Sequence, residues 1–401
     1  MNVTQIFPAC LPAFLKACVF VPLGLALGVA TLAHAAPRTP SNDAVVLEKL
    51  PFRAGDASAR ELAALRGAVQ AVPTDSDAAA ALAGRYFELA LAKGDPRYVG
   101  YADALVARFA EPLPLSLLSL RGTLRQYRHD FAGALQDFAA VLNADPSHAG
   151  AHAWRAAIFL VQARYDDASR ECEALLRLNR KVLHGGCAGL QLAYSGHLSN
   201  ADQALRTALA NATEPDHRLW LLTRLAEVAT WQGHTALAER HFRDALRLGR
   251  DDVYLLAAWS DFLLDQGRAP EVAQLLTPWE STDGLLLRLA EAQALLKLPA
   301  AAANIRNLAD RFAAAKLRGD TTHQAEEARF QLRLMRQPQV AVALATDNYR
   351  TQKEPRDARV LLEAALAAND ASAAQPVRAW LAASGFQDQR LLKLAHTGAK
   401  P

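Results

Sequence analysis

The chain has 401 residues, 51% apolar and 7% aromatic, so it can bury a sizeable core and is not disordered as a whole. Its 44 Lys and Arg against 41 Asp and Glu leave a formal charge of +3, too small an excess for a protein that coats nucleic acid. Much of the apolar fraction is Ala and Leu, which favours helices over sheets.

In chain order, residues 1–35 carry one charged side chain, Lys16. An apolar run, Cys18 to Leu32, follows it and ends at Ala33-His34-Ala35. A basic residue, a short apolar core and a small-x-small site predict a secretory signal peptide cut after Ala35. The competing reading is a membrane anchor, but the run is shorter than the roughly 20 residues a spanning helix needs, and Pro22 interrupts it. Ala36 stands where a lipoprotein would carry Cys. No later run is apolar enough to span, so the mature chain is expected to lack a transmembrane segment. The expected location is an oxidising exported space, the bacterial periplasm.

Residues 36–57 contain Pro and Gly without a clear period and are read as a flexible N-terminal arm. From Ser58 almost to the end, apolar residues recur at helical spacing with short breaks, and strand signals are nearly absent. Helical pairs are expected over 58–110, a regular array over 111–282, looser helical repeats over 283–384 and a tail over 385–401. Pro338 and Pro355 punctuate the looser part.

The strongest unit is LSLLSLRGTLRQYRHDFAGALQDFAAVLNADP, ending at Pro146. Gly122 allows two helices a close crossing, Ala134 faces it, Phe138 fills the gap, and Pro146 stops the second helix. The frame returns at Ala156, Phe159, Ala168 and Cys172, then at Gly189, Ala201, Leu205 and Ala208. It returns again at Ala226, Gly233, Ala238, Phe242 and Ala245, and at Ser260, Gly267, Val272 and Leu276. LLTRLAEV (221–228) is echoed by LLLRLAEA (285–292). This small–small–large–Pro pattern at a period of about 34 residues resembles the tetratricopeptide repeat, here of an exported bacterial kind. The resemblance spans roughly 60–384 and is strict over about 115–280. It implies an all-α, right-handed superhelical solenoid of antiparallel helix pairs, with a concave face formed by the first helix of each pair.

Cys172 and Cys187 are the pair left after signal removal. In the repeat frame one lies on a second helix and the other on the next first helix. Those helices pack directly, and a disulfide between the two is expected in the exported compartment. No GxSxG, P-loop, dinucleotide turn or HEXXH motif is present, so the sequence predicts no enzyme, no cofactor and no catalytic residues. His148 and His152 share a helix face, but no third ligand is near in sequence; His184 with the two cysteines is a second weak metal candidate. A metal-binding periplasmic protein is therefore the lesser alternative.

The resemblance implies a protein or peptide partner held in the concave groove. Inner-face candidates are Tyr127, Tyr194, Trp220, Arg224, Glu227, Trp231, Tyr254, Asp261, Arg288 and Glu291. Amphipathic aromatics with Arg suit recognition, although such aromatics also plug gaps between helices. Ser119, Thr123, Ala153 and Ala157 stand where a Lys/Asn clamp for a terminal carboxylate would sit. The expected role is a non-catalytic interaction scaffold in the cell envelope, or else a structural component of an envelope export or assembly machine.

Overall fold

The structure is a computed structural model that describes Asn42 and residues 56–397. The expected signal peptide and nearly all of the expected arm lie outside the described residues. Among the described residues there are twenty α-helices, one short 3-10 turn and no strand.

A first helix, α1 (Ala57–Ala71), precedes nine helix pairs and packs on the second. They are α2 (Ser76–Lys93) with α3 (Arg97–Val106), α4 (Leu115–Tyr127) with α5 (Phe131–Ala144), and α6 (Ala149–Val161) with α7 (Tyr165–Arg177). Next come α8 (Lys181–Tyr194) with α9 (Leu198–Asn211), α10 (Pro215–Trp231) with α11 (Thr235–Leu246), and α12 (Val253–Asp265) with α13 (Ala269–Leu276). The last are α14 (Asp283–Leu295) with α15 (Ala300–Leu317), α16 (Gln324–Arg333) with α17 (Pro338–Tyr349), and α18 (Pro355–Ala367) with α19 (Gln375–Ser384). A final helix, α20 (Gln389–His396), lies in the stretch read from sequence as a tail. Asp388 caps it by accepting from the Arg390 and Leu391 amides, and Leu391 and Ala395, one turn apart, bury its apolar face. Residues 58–110 accordingly hold a lone helix and one pair rather than a run of pairs.

Local chemistry sets these boundaries. Asp75, Asp130 and Asp252 accept amide hydrogen bonds at the starts of α2, α5 and α12. Pro215, Pro338 and Pro355 open α10, α17 and α18, where a missing amide costs nothing. The turn within each pair needs a left-handed residue. From α4 to α13 it falls at His129, Ala163, Gly196, Gly233 and Gly267, at intervals of 34, 33, 37 and 34 residues. Glycine takes this conformation without strain at three of the five.

The crossings follow the small–large code. A Cβ placed on Gly122 would stand 2.8 Å from the Phe138 ring, and one on Gly189 would stand 2.6 Å from Leu205. Ala134, Phe138, Ala201 and Leu205 are fully buried. First helices pack on neighbouring first helices from α2 to α18, which makes them one continuous inner layer. The layer curves far enough for the end of α2 to meet the start of α14. The Thr282 hydroxyl donates to the Lys93 carbonyl at 2.9 Å, and Lys93 forms an ion pair with Asp251.

The last pairs do not simply extend the curve; they fold over its inner side. One apolar core joins Phe159, Tyr194, Leu221 and Leu225 of the array to Ala341, Leu361, Trp380, Phe386 and Leu391. The loop between α17 and α18 seals this contact. The Lys353 amide donates to the Val161 carbonyl at 2.7 Å. Gln352 Nε2 lies 3.2 Å from His129 Nδ1 and 2.9 Å from Asn348 Oδ1, and Asn348 donates to Asp357 at 3.1 Å. Burial and the nearby Arg356 push His129 down to about 4, so its ring is neutral and can accept from Gln352.

Candidate functional site

The inner layer brings the ten groove candidates onto or beside one surface, and none of them is exposed. The sequence reading left that surface open to a partner. In the structure, the chain's own side chains stand against each candidate.

Tyr194 and Trp231 end α8 and α10, with ring centroids 5.9 Å apart. Phe386 packs between them, 6.3 Å from Tyr194 and 5.2 Å from Trp231. Trp380 closes the far side at 5.2 Å from Phe386, and its indole N–H donates to the Tyr165 hydroxyl at 2.7 Å. The Tyr194 hydroxyl points to Glu354 at 3.4 Å, and burial raises its pKa well above the ordinary phenol value.

Arg224, Glu227 and Tyr254 form a closed triangle. Arg224 donates to Glu227 at 2.8 Å and to the Tyr254 hydroxyl, which itself donates to Glu227 at 2.6 Å. The Arg224 guanidinium lies 4.3 Å from the Tyr254 ring centre, and that of Arg356, from α18, lies 5.5 Å from it.

Further along, Asp261 accepts from Arg288 at 2.7 Å and pairs with Arg329 at 2.6 Å. Burial opposes the Asp261 charge, yet the two guanidinium groups outweigh it and hold the carboxyl well below its usual range. Glu291, 5% exposed, takes both Arg329 at 2.7 Å and Arg333 at 3.2 Å. Arg333 continues to Glu363, and Arg359 joins Glu363 to Asp265. The chain of charges thus runs from α12 through α14 and α16 to α18. The sequence echo noted above places Arg224 and Glu227 in register with Arg288 and Glu291; the first two bond to each other and to Tyr254, whereas Arg288 pairs with Asp261 and Glu291 with Arg329 and Arg333.

The remaining two candidates are packing groups. Tyr127 meets Phe87 edge-on at 5.8 Å, and Phe87 meets Trp154 at 6.2 Å. The Trp220 ring lies over Gly186, where a Cβ could not fit. Sequence reasoning missed Arg329, Arg356, Arg359, Trp380 and Phe386. Arg329 and Arg333 stand one turn apart on α16, with Glu326 one turn before them, and this spacing was the available signal.

Cys172 and Cys187 form a disulfide with Cα atoms 5.5 Å apart, linking α7 to α8 as the repeat frame implies. They therefore offer no thiolate. His148 Nδ1 accepts from the Ala151 amide at 3.0 Å, capping α6. His152 has acceptors at both ring nitrogens, Glu171 Oε2 at 2.6 Å and the Pro146 carbonyl at 3.2 Å. The two imidazoles are thus committed separately. No cluster of three metal-ligating side chains occurs among the described residues. No described helix is long and apolar enough to cross a membrane.

The helix-pair architecture is of the tetratricopeptide type. No protein-family model matches this sequence, and neither does any curated protein. Among solved structures, the chain is similar to a tetratricopeptide repeat protein from Parabacteroides merdae, at 14% identity over 56% of this chain and 86% of that one, with a TM-score of 0.41. It is also similar to human IFIT1 as a dimer with m7Gppp-AAAA, at 14% identity over 84% and 87% of the two chains and a TM-score of 0.44. A third is the Cut9-Hcn1 hetero-tetramer of the APC/C, at 18% identity over 77% and 52% and a TM-score of 0.39. At these values no residue role passes from them to this chain.

Proposed function

We propose that this chain is a non-catalytic protein-interaction scaffold of the cell envelope, exported by its N-terminal signal peptide, whose inner face receives a polypeptide. The observation that carries this reading is the way a stretch of chain is already received there. Phe386 sits among aromatic rings, Lys353 donates from its backbone to the array, and arginines meet Asp265, Asp261 and Glu291. Aromatic anchoring, main-chain hydrogen bonding and charge pairing are the terms by which one polypeptide recognises another. The disulfide fits an oxidising compartment.

One observation favours the other reading. With its inner side filled by α16–α20, the unit has its own chain where a groove would be. A permanently filled unit would serve as a rigid structural component of an envelope assembly, using its outer surface. Crosslinked capture from native envelopes, with partners identified by mass spectrometry, separates the two. Capture lost on combining Trp231→Ala with Arg224→Ala, with the helical circular dichroism unchanged, supports the inner face. Capture retained in that variant refutes it and leaves the structural-component reading.

A further inference from the structure

The segment from Phe386 to the end of α20 is attached differently from the helices before it. It leaves α19 at Gly385, which ends that helix with a left-handed φ of 66°. Among the described residues no backbone hydrogen bond ties residues 386–397 to the array, whereas the α17–α18 loop makes one to Val161 and adds buried side-chain bonds. On the array, the segment is anchored chiefly by one aromatic ring and one charge, and the Gln389 side chain lies against the Gly233 turn. Phe386 is 1% exposed inside the Tyr194, Trp231 and Trp380 rings, and Arg390, four residues on, pairs with Asp265. Leu391 and Ala395 belong to the apolar core that the last helices share with the array, and α20 itself packs on α18 and α19.

The receiving surface is complete without this segment. Asp265 keeps two hydrogen bonds of 2.7 Å from Arg359. Trp380 keeps Tyr165, and Tyr194 keeps Glu354. Withdrawal of Phe386 and Arg390 would therefore leave no buried charge or polar group of the pocket unpaired, a condition most core contacts do not meet. A pre-organised aromatic pocket beside a fixed carboxylate suits one kind of ligand, an aromatic side chain followed four residues later by a basic one.

We propose that this pocket is a peptide-docking site, held in the free chain by its own Phe386–Arg390 segment and yielded to a partner segment that carries an aromatic residue and, four residues later, a basic one. The proposal rests on the interaction-scaffold reading and names its site and ligand class. Tethering gives the internal segment a high effective concentration, so a partner competes only when it binds more tightly or in several places.

The test uses the full-length chain, a full-length Phe386→Ala/Arg390→Ala variant and a fluorescent peptide of residues 385–397. Anisotropy should show the peptide binding the variant at least tenfold more tightly than the wild type, and a peptide with Phe386→Ala binding neither. A variant with native helical circular dichroism that does not bind the peptide overturns the proposal. Should the variant fail to fold, hydrogen exchange on the wild type decides. Amides of α20 exchanging at least tenfold faster than those of α10 and α18 support a displaceable segment; equal protection overturns it. Partner capture is read separately, so failure of the peptide assay removes the pocket and leaves the scaffold reading to its own test.

Discussion

Residues 115–276 and 324–396 are built from the same kind of antiparallel helix pair, but they combine shape and charge in different proportions. In the first region shape dominates. Gly122 admits the Phe138 ring, Gly189 admits Leu205, and each pair stacks on the next through fully buried apolar side chains. In the second region a shared apolar core is joined by a longer run of charges. Arg329, Arg333, Arg356 and Arg359 reach from α16 and α18 to carboxylates and rings on the inner layer. Shape complementarity repeats with the sequence and builds an array of any length, whereas a specific set of ion pairs, added to the shared apolar core, favours one place on that array for the last helices.

The contrast can be broken most sharply at Arg329. Replacing it with Met leaves Glu291, 5% exposed, with Arg333 as its remaining partner. Losing one member of a buried pair should cost about 3–5 kcal/mol in denaturant unfolding. A loss under 1 kcal/mol would mean that charge does not hold the second region in place.

The next effect is a pH dependence confined to the seam. Burial pushes Asp357 up to about 7 in the folded chain, above the unfolded value near 3.9. A group whose folded pKa is raised stabilises most below its unfolded pKa, and that contribution disappears as pH rises through the folded pKa. Stability should therefore fall between about pH 4 and 7 by on the order of 2–4 kcal/mol from this group. His129 runs the other way: pushed down to about 4, it withdraws stability as pH falls from about 6.5. Asp357→Asn should remove the loss on the alkaline side and leave the acid-side loss in place, read from unfolding midpoints between pH 4 and 8. An unchanged profile would mean that Asp357 is not buried against the array.

Within the first region, Cys172→Ala/Cys187→Ala opens a link with a sequence separation of 15 and should lower stability by about 3 kcal/mol in the chain-entropy account. Equal unfolding midpoints before and after reduction would contradict a formed disulfide. The smallest effect belongs to exposed pairs such as Arg206 with Asp202 on α9, 2.6 Å apart. Arg206→Gln should change stability by no more than about 0.5 kcal/mol, and a larger loss would blur the distinction between surface charge and seam charge.

What could be read beforehand follows the same division. The helix pairs, the Gly122–Phe138 crossing, the Cys172–Cys187 link and the inner-layer positions of Tyr194, Arg224 and Asp261 are local or periodic properties, and periodicity exposed them. The return of α16–α20 onto the inner layer depends on pairings such as Arg359 with Asp265, 94 residues apart, and Gln352 with His129, 223 apart. No repeat frame encodes such distances. The closing helix was readable in principle, since Asp388 precedes an amphipathic RLLKLAH. Trp220 and Tyr127 show the converse, since aromatic type alone does not separate a recognition residue from a gap filler.

The most direct test of the account places a photoreactive benzoylphenylalanine at position 386 of the full-length chain and maps the crosslinks by mass spectrometry. The account predicts crosslinks to the peptides that carry Tyr194 or Trp231. Crosslinks confined to α18–α20, or absent within the chain, would contradict an inner face covered by its own C-terminal helices.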